Sequence, residues 1–278
     1  MVRIITDTTA GLPEEAVEQY DIAVIPQVLH FGDESFLEEV EMDRATFMAR
    51  LKSSRELPKT AAPPPDLFVK EFERLVPEGQ PILCIHPSAE VSGTVRSATV
   101  AASDYQEADI RVMDTRVIAS PLATMVQLAA EWAQEGMDAD NIETRLRAMI
   151  PHWQVYFMVD TLEYLAKGGR IGGAAALLGS VLRIKPILTL RDGRVDQFEK
   201  ERTHKRAVAR LKSLVQNQIS ASQGFLSVMH AGVPEQAKQL ANDLAALLSL
   251  SNVPIYDIPP AVVVHAGPGL LGVAFQED

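Results

Sequence analysis

The sequence predicts an α/β protein of two domains, with a mainly parallel sheet in the first and a mixed sheet containing a hairpin in the second. In the first 150 residues, short apolar runs alternate with segments of helical periodicity, which is typical of strand–helix units around a parallel sheet. Later in the chain, two strand-like runs flank Asp192-Gly193, a strong hairpin signal. A chain of 278 residues suffices for two ordinary domains, which we place at 1–155 and 156–278.

Local signals define the elements of the first domain. Pro13 followed by two glutamates favours a helix start, Asp43 suits a helix cap, and Pro26 predicts an edge or a break in the strand-like run 22–31. The run PKTAAPPP (58–65) excludes a helix and predicts a stiff, extended connection. We therefore predict strands at 2–5, 22–31, 81–85 and 110–114, and helices at 13–20, 44–52, 66–75, 92–103, 122–134 and 141–150.

The second domain has its own pattern. Strands are predicted at 153–160, in both arms of 187–199 and at 225–230, with helices at 204–218 and 234–248. The end of the chain, including the valines at 262–264, is strand-like and interrupted by glycines. The stretch TLEYLAKGGRIGG (161–173) has two interpretations: a tight helix–turn–helix crossing, or a loop in which glycines beside basic residues bind phosphate.

The composition excludes several classes of protein. The chain is 47% hydrophobic and 23% charged, as in ordinary globular proteins, and offers no apolar run of the ~18 residues that a membrane span needs. The first residues turn polar after position 5, unlike a signal peptide. A single cysteine, Cys84, excludes an intramolecular disulfide, and we expect it to be a buried strand residue rather than a nucleophile. We predict a cytoplasmic, monomeric protein without stable membrane insertion.

The charge is unevenly distributed. The formal net charge is −11, and residues 1–150 carry 13 basic against 26 acidic side chains. Residues 161–212 instead carry 12 basic against 5 acidic side chains, a net charge of +7. This basic segment indicates a directed electrostatic surface. Nucleic acid is a possible partner, but the acidic first half would repel it, and we predict no nucleic-acid binding.

Hydroxyl side chains stand where anions bind. Asp7, Thr8 and Thr9 follow a strand, at the end where open α/β sheets usually bind ligands, although they are equally suited to capping the next helix. Ser92-Gly93-Thr94 begins a helix with Ser92 as the expected N-cap, so its amides and hydroxyls form either a small-anion site or a plain cap. Thr60 lies on the stiff connection. Such groups suit a carboxylate that must be released or react.

Histidine and glycine patterns limit the kinds of functional site that the sequence can form. His265, between an apolar run and a glycine loop, is either a structural residue or a ligand-binding one. No histidine or cysteine spacing fits a metal site, and neither a Walker A lysine motif nor a Gly-x-Ser-x-Gly elbow occurs. GGRIGG has Arg170 where the dinucleotide fingerprint needs its second glycine. We predict no metal and no cofactor.

An ordered set of motifs resembles a known family. The segments run along almost the whole chain: ITDTTAGLP (5–13), KTAAPP (59–64), VSGTVRSA (91–98), MVDTLEYLAKGGRIG (158–172), LRIKPIL (182–188), ERTHKRA (201–207) and HAGPGLLGVAF (265–275). DTLEYLAKGGRI is the most specific of these motifs. With this set, the sequence is similar to the DegV family of bacterial fatty-acid-binding proteins, which includes the FakB subunits of fatty acid kinase.

The resemblance implies a non-catalytic lipid-binding protein. A long-chain fatty acid would occupy a tunnel between two α/β domains, and a separate ATP-dependent fatty acid kinase would phosphorylate its carboxylate to an acyl phosphate for phospholipid synthesis. The implied carboxylate-binding residues are Thr60, Ser92, Gly93, Thr94 and His265. For Lys167, Arg170 and Arg202, the family suggests contact with the kinase or its phosphates. The segments 175–182 and 262–264 and Met125 would line the tunnel or belong to the core.

The sequence departs from the family at auxiliary positions, and other functions stay open. The family often has Thr-Ser-Gln-Pro-Ser where this chain has Thr60-Ala61-Ala62-Pro63-Pro64, which removes two hydroxyl groups. The alternatives are a lipid storage or sensor protein without a kinase partner, a self-sufficient phosphotransferase, and a DNA-binding regulator that uses the basic segment.

Overall fold

The computed structural model describes residues 1–54, 56–178, 184–219 and 225–277. The chain divides into two compact units, Met1–Pro151 and His152–Asp278. The boundary expected after residue 155 falls inside the strand Trp153–Met158. That strand pairs along its whole length with a strand of the second unit, which keeps its six residues together.

The first unit contains seven strands and six α-helices among its described residues. The strands are β1 Arg3–Asp7, β2 Ala23–Ile25, β3 Val28–Phe31, β4 Glu34–Leu37, β5 Lys59–Ala61, β6 Ile82–His86 and β7 Ile110–Asp114. The helices are α1 Glu14–Tyr20, α2 Arg44–Ser53, α3 Pro65–Leu75, α4 Thr94–Ala102, α5 Ser120–Gln134 and α6 Ala139–Met149. Short 3-10 turns occupy Thr8–Ala10 and Val76–Glu78.

The main sheet of the first unit is parallel, in the order β2-β1-β6-β7. All five residues of β6 are buried, as expected of a strand covered on both faces. Helix α3 buries Phe68, Phe72 and Leu75, whose spacing places them on one helical face in the core. The α/β fold and the mainly parallel first sheet are confirmed.

A second, three-stranded antiparallel sheet lies in the same unit, in the order β4-β3-β5. Pro26 breaks the strand-like run at 22–31, because it lies between β2 of the parallel sheet and β3 of the antiparallel one. The stiff connection at 58–65 supplies β5, in which Thr60 is paired with Leu29 of β3. Gln27 therefore lies where the chain passes from one sheet to the other.

The second unit has a mixed sheet in the order β10-β9-β8-β13-β11-β12, where only the β11–β12 pair is parallel among the described strands. Its strands are β8 Trp153–Met158, β9 Lys185–Arg191, β10 Arg194–Glu201, β11 Leu226–His230, β12 Ile255–Asp257 and β13 Leu271–Gln276. Its helices are α7 Glu163–Lys167, α8 His204–Gln218, α9 Pro234–Leu248 and α10 Pro260–Ala266, with a 3-10 helix at Gly172–Leu177. The predicted mixed sheet with a hairpin is confirmed.

The hairpin between β9 and β10 turns at Asp192 and Gly193, whose φ angles of 50° and 79° are both positive. Positive φ at both central residues matches the right-handed twist of the paired strands, and Asp-Gly adopts it at low cost. The dipeptide that predicts the hairpin is therefore the residue pair that forms its turn.

The strand prediction for the valines at 262–264 is wrong, because this run lies in helix α10. Pro260 occupies a first-turn position, where its fixed φ suits a helix and its missing N–H costs nothing. Val263 and Val264 are buried in the helix, and burial outweighs the preference of β-branched residues for strands. His265 consequently lies in the last turn of a helix rather than after a strand.

The glycines of 168–173 allow close packing. Gly169 follows α7 with a φ of 71°, and Gly172 opens the 3-10 helix with a φ of 49°. A Cβ atom at Gly172 would overlap the carbonyl oxygen of Val195, and one at Gly173 would overlap the carboxylate of Asp196. Gly172 and Gly173 therefore let the 3-10 helix lie directly against β10.

Candidate functional site

A buried polar cluster lies at the carboxyl ends of β1 and β6. Asp7 ends β1 and is fully buried, and its Oδ1 accepts hydrogen bonds from the backbone N–H and the hydroxyl of Thr9, at 3.0 and 2.6 Å. Nδ1 of His86, the last residue of β6, lies 2.8 Å from Oδ2 of Asp7. Parallel strands bring their carboxyl ends to one edge of the sheet, which is where ligands of such sheets bind.

Gln27 connects this cluster to the start of helix α4. Its side-chain Nε2 lies 2.9 Å from Oδ1 of Asp7 and 2.9 Å from Oγ1 of Thr94, and the residue is buried. Its backbone N–H donates to the hydroxyl of Thr8 at 3.0 Å, and that hydroxyl in turn donates to the carboxylate of Glu38. Gln27, Glu38 and His86 are not among the predicted site residues. The signal that could have identified Gln27 is a polar side chain directly after Pro26 in an apolar run.

The expectation that Ser92 is the N-cap of the next helix is wrong by one residue. Gly93 is the N-cap of α4, and the helix begins at Thr94. Ser92 nevertheless serves the helix start, because its Oγ accepts from the backbone N–H of Thr94 at 3.3 Å and lies 2.8 Å from Oγ1 of Thr94. Ser92 is half-buried and Thr94 is fully buried. The hydroxyl of Ser92 thus lies at the positive end of a nine-residue helix.

The structure brings the Thr60 segment next to this helix start. A Cβ atom at Gly93 would lie 3.3 Å from Cβ of Ala62, tighter than an ordinary van der Waals contact. Thr60, two residues before Ala62, is half-buried on β5. The first unit therefore gathers four of the five predicted carboxylate-binding residues: Thr60, Ser92, Gly93 and Thr94.

The fifth predicted residue, His265, belongs to the second unit and lies beside Arg170. Burial, and then the positive charge of Arg170, lower the pKa of His265 from 6.5 to about 4, which keeps the imidazole neutral at pH 7. Nη1 of Arg170 donates to the carbonyl of Gly168 at 2.7 Å, and a Cβ atom at Gly168 would overlap Nδ1 of His265. Glycine at 168 therefore makes room for this histidine.

The other two predicted partner contacts are exposed. Lys167 forms an i,i+4 ion pair with Glu163 at 2.6 Å, a surface interaction that leaves both side chains largely in solvent. Arg202 follows β10 and precedes the first turn of α8, His204-Lys205-Arg206, which carries no acidic residue. Helix N-termini favour anions, so a basic first turn leaves a strongly positive surface there.

Much of the rest of the basic segment is paired within the second unit. Ion pairs join Lys185 to Asp160, Arg191 to Asp196, Arg210 to Glu199 and Lys212 to Asp243. Arg183 lies outside the described residues. Asp160 and Asp243 lie outside the basic segment and partly offset its net charge of +7, whereas Asp196 and Glu199 are already counted in that figure. Arg202 and the first turn of α8 form an exposed run of basic residues.

The predicted lining residues lie in packed surroundings. Met125 is fully buried in α5, and Val263 and Val264 are buried in α10. Of the run at 175–182, Leu177 is buried, and positions 179–182 lie outside the described residues. Burial alone fits either lining or core.

Neither a metal-binding cluster nor a reactive thiol lies in the described part of the chain. Across residues 1–54, 56–178, 184–219 and 225–277, no three His, Cys, Asp or Glu side chains are placed to hold a metal ion. Burial raises the pKa of the Cys84 thiol far above its usual range, which keeps this cysteine protonated and unreactive. Among the same residues, no helix is both long and apolar enough to cross a membrane.

Known proteins are similar to this chain in sequence and fold over nearly their whole length. The family described as uncharacterised protein, DegV family, matches residues 1–278. A DegV domain-containing protein of Streptomyces coelicolor is 36% identical over 274 residues, covering 98% of this chain and 97% of its own. The protein DegV of Bacillus subtilis is 33% identical over 280 residues, covering 99% of this chain and 98% of its own.

Two solved structures support the same assignment. A fatty-acid-binding DegV family protein from Thermus thermophilus matches with a TM-score of 0.92 and 27% identity, over 100% of this chain and 99% of its own. DegV from Bacillus subtilis, described as a fatty acid binding protein, matches with a TM-score of 0.90 and 32% identity, over 100% of this chain and 99% of its own. The resemblance seen in the sequence motifs is confirmed, and the chain belongs to the DegV family.

Proposed function

We propose that this chain binds a long-chain fatty acid and presents its carboxylate to a partner ATP-dependent kinase, which forms an acyl phosphate. The observation that carries the proposal is the hydroxyl of Ser92 at the N-terminus of α4, which contacts Thr94 and lies beside the Thr60 segment, while Thr94 in turn contacts Gln27. Membership of a family whose solved members from Thermus thermophilus and Bacillus subtilis are described as fatty-acid-binding supplies the ligand class.

The chemistry of these groups suits a carboxylate that must later react. Hydroxyls, amide N–H groups and a helix N-terminus attract an anion without forming a full ion pair, so the carboxylate keeps nucleophilic oxygens. We assign Thr60, Ser92 and Gly93 to this role, with Thr94 acting through its hydrogen bonds to Ser92, and His265, by family resemblance, as a further carboxylate ligand. As a neutral imidazole, His265 would donate a hydrogen bond without a positive charge.

The acyl chain would supply most of the affinity. Burying an apolar chain contributes about 0.8 kcal/mol per methylene, or on the order of 10 kcal/mol for ~16 carbons. The head-group contacts then fix which end of the ligand is presented, rather than supplying most of the binding free energy. The described residues 175–178, the segment 262–264 and Met125 are candidates for lining the acyl chain.

The first experiment identifies the ligand. Mass spectrometry of organic extracts from the purified native protein is expected to detect a long-chain fatty acid. Delipidated protein should then bind oleate or palmitate, and Ser92→Ala should bind them at least tenfold more weakly. Absence of any acyl chain in the extract, together with failure of both acids to bind, would overturn the proposal.

The second experiment tests the kinase partnership. We assign Lys167, Arg170 and Arg202 to contact with the kinase or its phosphates, with the exposed basic turn at 204–206 as support. With the kinase of the same organism, Arg202→Ala and Arg170→Ala are expected to keep oleate affinity within twofold and to lower acyl phosphate formation. Loss of oleate affinity in Arg170→Ala would place Arg170 with His265 at the carboxylate instead. Formation of acyl phosphate by this chain and ATP alone would contradict its non-catalytic role.

A further inference from the structure

We infer that Gln27 and Thr94 are positioning residues that aim the hydroxyl hydrogen of Ser92 outward, which makes the site selective for a head group that only accepts hydrogen bonds. The inference rests on the fatty-acid binding proposed above. Three polar groups form a hydrogen-bonded chain: the amide of Gln27, the hydroxyl of Thr94 and the hydroxyl of Ser92.

Asp7 fixes the orientation of the Gln27 amide. Oδ1 of Asp7 already accepts two hydrogen bonds from Thr9, which suits an ionised carboxylate. Only the NH₂ group of Gln27 can donate to that oxygen, because the amide oxygen would be repelled by it. The same nitrogen also lies 2.9 Å from Oγ1 of Thr94, so Thr94 must accept there.

The hydroxyl of Thr94, which accepts from Gln27, donates its own hydrogen to Ser92. In the part of the chain that the structure describes, the partners of its hydroxyl are Nε2 of Gln27 and Oγ of Ser92, the latter at 2.8 Å. Its acceptor role is used by Gln27, and its side chain is fully buried. Leaving the hydroxyl hydrogen of Thr94 unpaired in that environment is costly, so it donates to Ser92.

Ser92 is then left with one direction for its own hydrogen. Its Oγ accepts from the hydroxyl of Thr94 and, at 3.3 Å, from the backbone N–H of the same residue. The hydroxyl hydrogen of Ser92 therefore has to point away from Thr94, and Ser92 is half-buried rather than enclosed. A carboxylate accepts from such a donor with either oxygen. A fatty alcohol is a neutral and therefore weaker acceptor, and its own hydroxyl hydrogen finds no acceptor on Ser92.

The test compares two ligands with the same chain and different head groups. Binding of oleate and oleyl alcohol to delipidated protein is measured by isothermal titration for wild type, Thr94→Val, Thr94→Ser and Gln27→Met. Wild type should prefer oleate. Thr94→Val and Gln27→Met should lower the affinity for oleate about tenfold and change the affinity for oleyl alcohol by less than twofold. The reason is that either substitution frees the Ser92 hydroxyl to rotate.

Matched variants separate orientation from damage to the fold. Thr94→Ser retains the hydroxyl and should keep the wild-type preference for oleate over oleyl alcohol. Thr115→Val removes an equally buried hydroxyl that donates to the backbone carbonyl of His86 at 2.8 Å, and should leave both affinities unchanged. Thermal unfolding checks every variant, and Gln27→Met carries the test if Thr94→Val does not fold.

The outcomes distinguish this inference from the proposed function. If wild type does not bind oleate, the fatty-acid proposal falls. Suppose that wild type binds oleate, but Thr94→Val and Gln27→Met lower the affinities for oleate and oleyl alcohol equally or leave both unchanged. Then the two residues do not orient Ser92, and the inference is wrong.

Discussion

Nδ1 of His86 lies 2.8 Å from the carboxylate of Asp7, and both side chains are completely buried. Since the other oxygen of Asp7 accepts three hydrogen bonds, the carboxylate acts as an acceptor and His86 donates to it. This contact ties the ends of β1 and β6 together at the edge of the parallel sheet.

Substitution of either residue is expected to destabilise the first unit. His86→Phe keeps a ring of similar size but removes a donor from a buried carboxylate, and should lower the free energy of unfolding by about 3 kcal/mol. Asp7→Ala leaves several buried donors unpaired and should cost about 3–5 kcal/mol. Urea unfolding followed by circular dichroism measures both, with the exposed Asp33→Ala as a control. Wild-type stability of His86→Phe would contradict this account.

The imidazole of His265 should titrate well below its ordinary range. Burial, and secondarily Arg170, lower its pKa from 6.5 to about 4. Between pH 6.5 and 4 the unfolded chain takes up a proton that the folded one does not, so the free energy of unfolding falls as the pH drops through this interval. His265→Gln should weaken that dependence.

NMR titration of His265 separates the two causes of its lowered pKa, burial and the charge of Arg170. In Arg170→Ala the pKa should rise but stay below 6.5, since burial remains, whereas Arg170→Lys should keep the charge effect. A wild-type pKa at or above 6.5 would show that the imidazole is hydrated.

Two glycines of the 168–173 segment should differ sharply in their tolerance of alanine. Both have positive φ, but a Cβ at Gly172 would overlap the backbone of Val195, and one at Gly169 meets nothing within 4 Å. Gly169→Ala should therefore cost about 1 kcal/mol from backbone strain alone. Gly172→Ala should cost at least about 2 kcal/mol more, because β10 must shift. Equal melting temperatures of the two variants would refute the close-packing role of Gly172.

Ala119 holds an unusual backbone conformation at the start of α5. Its φ of 61° and ψ of −134° favour glycine, yet it is a buried alanine whose N–H donates to the carbonyl of Thr9 at 3.1 Å. Ala119→Gly should therefore leave the melting temperature unchanged or raise it, because relief of strain of about 1–3 kcal/mol exceeds the entropic cost of glycine. Ala123→Gly, inside the same helix, should lower it. A clear loss of stability in Ala119→Gly would contradict the strain.

Sequence patterns predicted the parts of this fold that depend on neighbouring residues. Helices α8 and α9 begin and end where predicted, because Thr203 caps the first and Pro234 opens the second. The helix at 260–266 was missed because three valines favour a strand locally, and only their burial in the folded unit makes them helical.

Part of the site was also predictable, because it too depends on residues that are neighbours in the sequence. Ser92, Gly93 and Thr94 are recognisable because hydroxyls beside a helix start form a local pattern. Gln27 and His86 were not, since their contacts join positions 67 and 79 residues apart in sequence. No periodicity or spacing encodes such a contact; it arises from the order of strands in the sheets.

The place of Gln27 between the two sheets of the first unit has a consequence for folding. Its side chain reaches Asp7 and Thr94 only when β2 has joined the parallel sheet and β3 the antiparallel one, each in its native register. A chain with only one of these sheets assembled would lack the oriented Ser92 hydroxyl. Ligand affinity at this position would then report on completed folding, and the ligand would shift the equilibrium toward the finished unit by mass action.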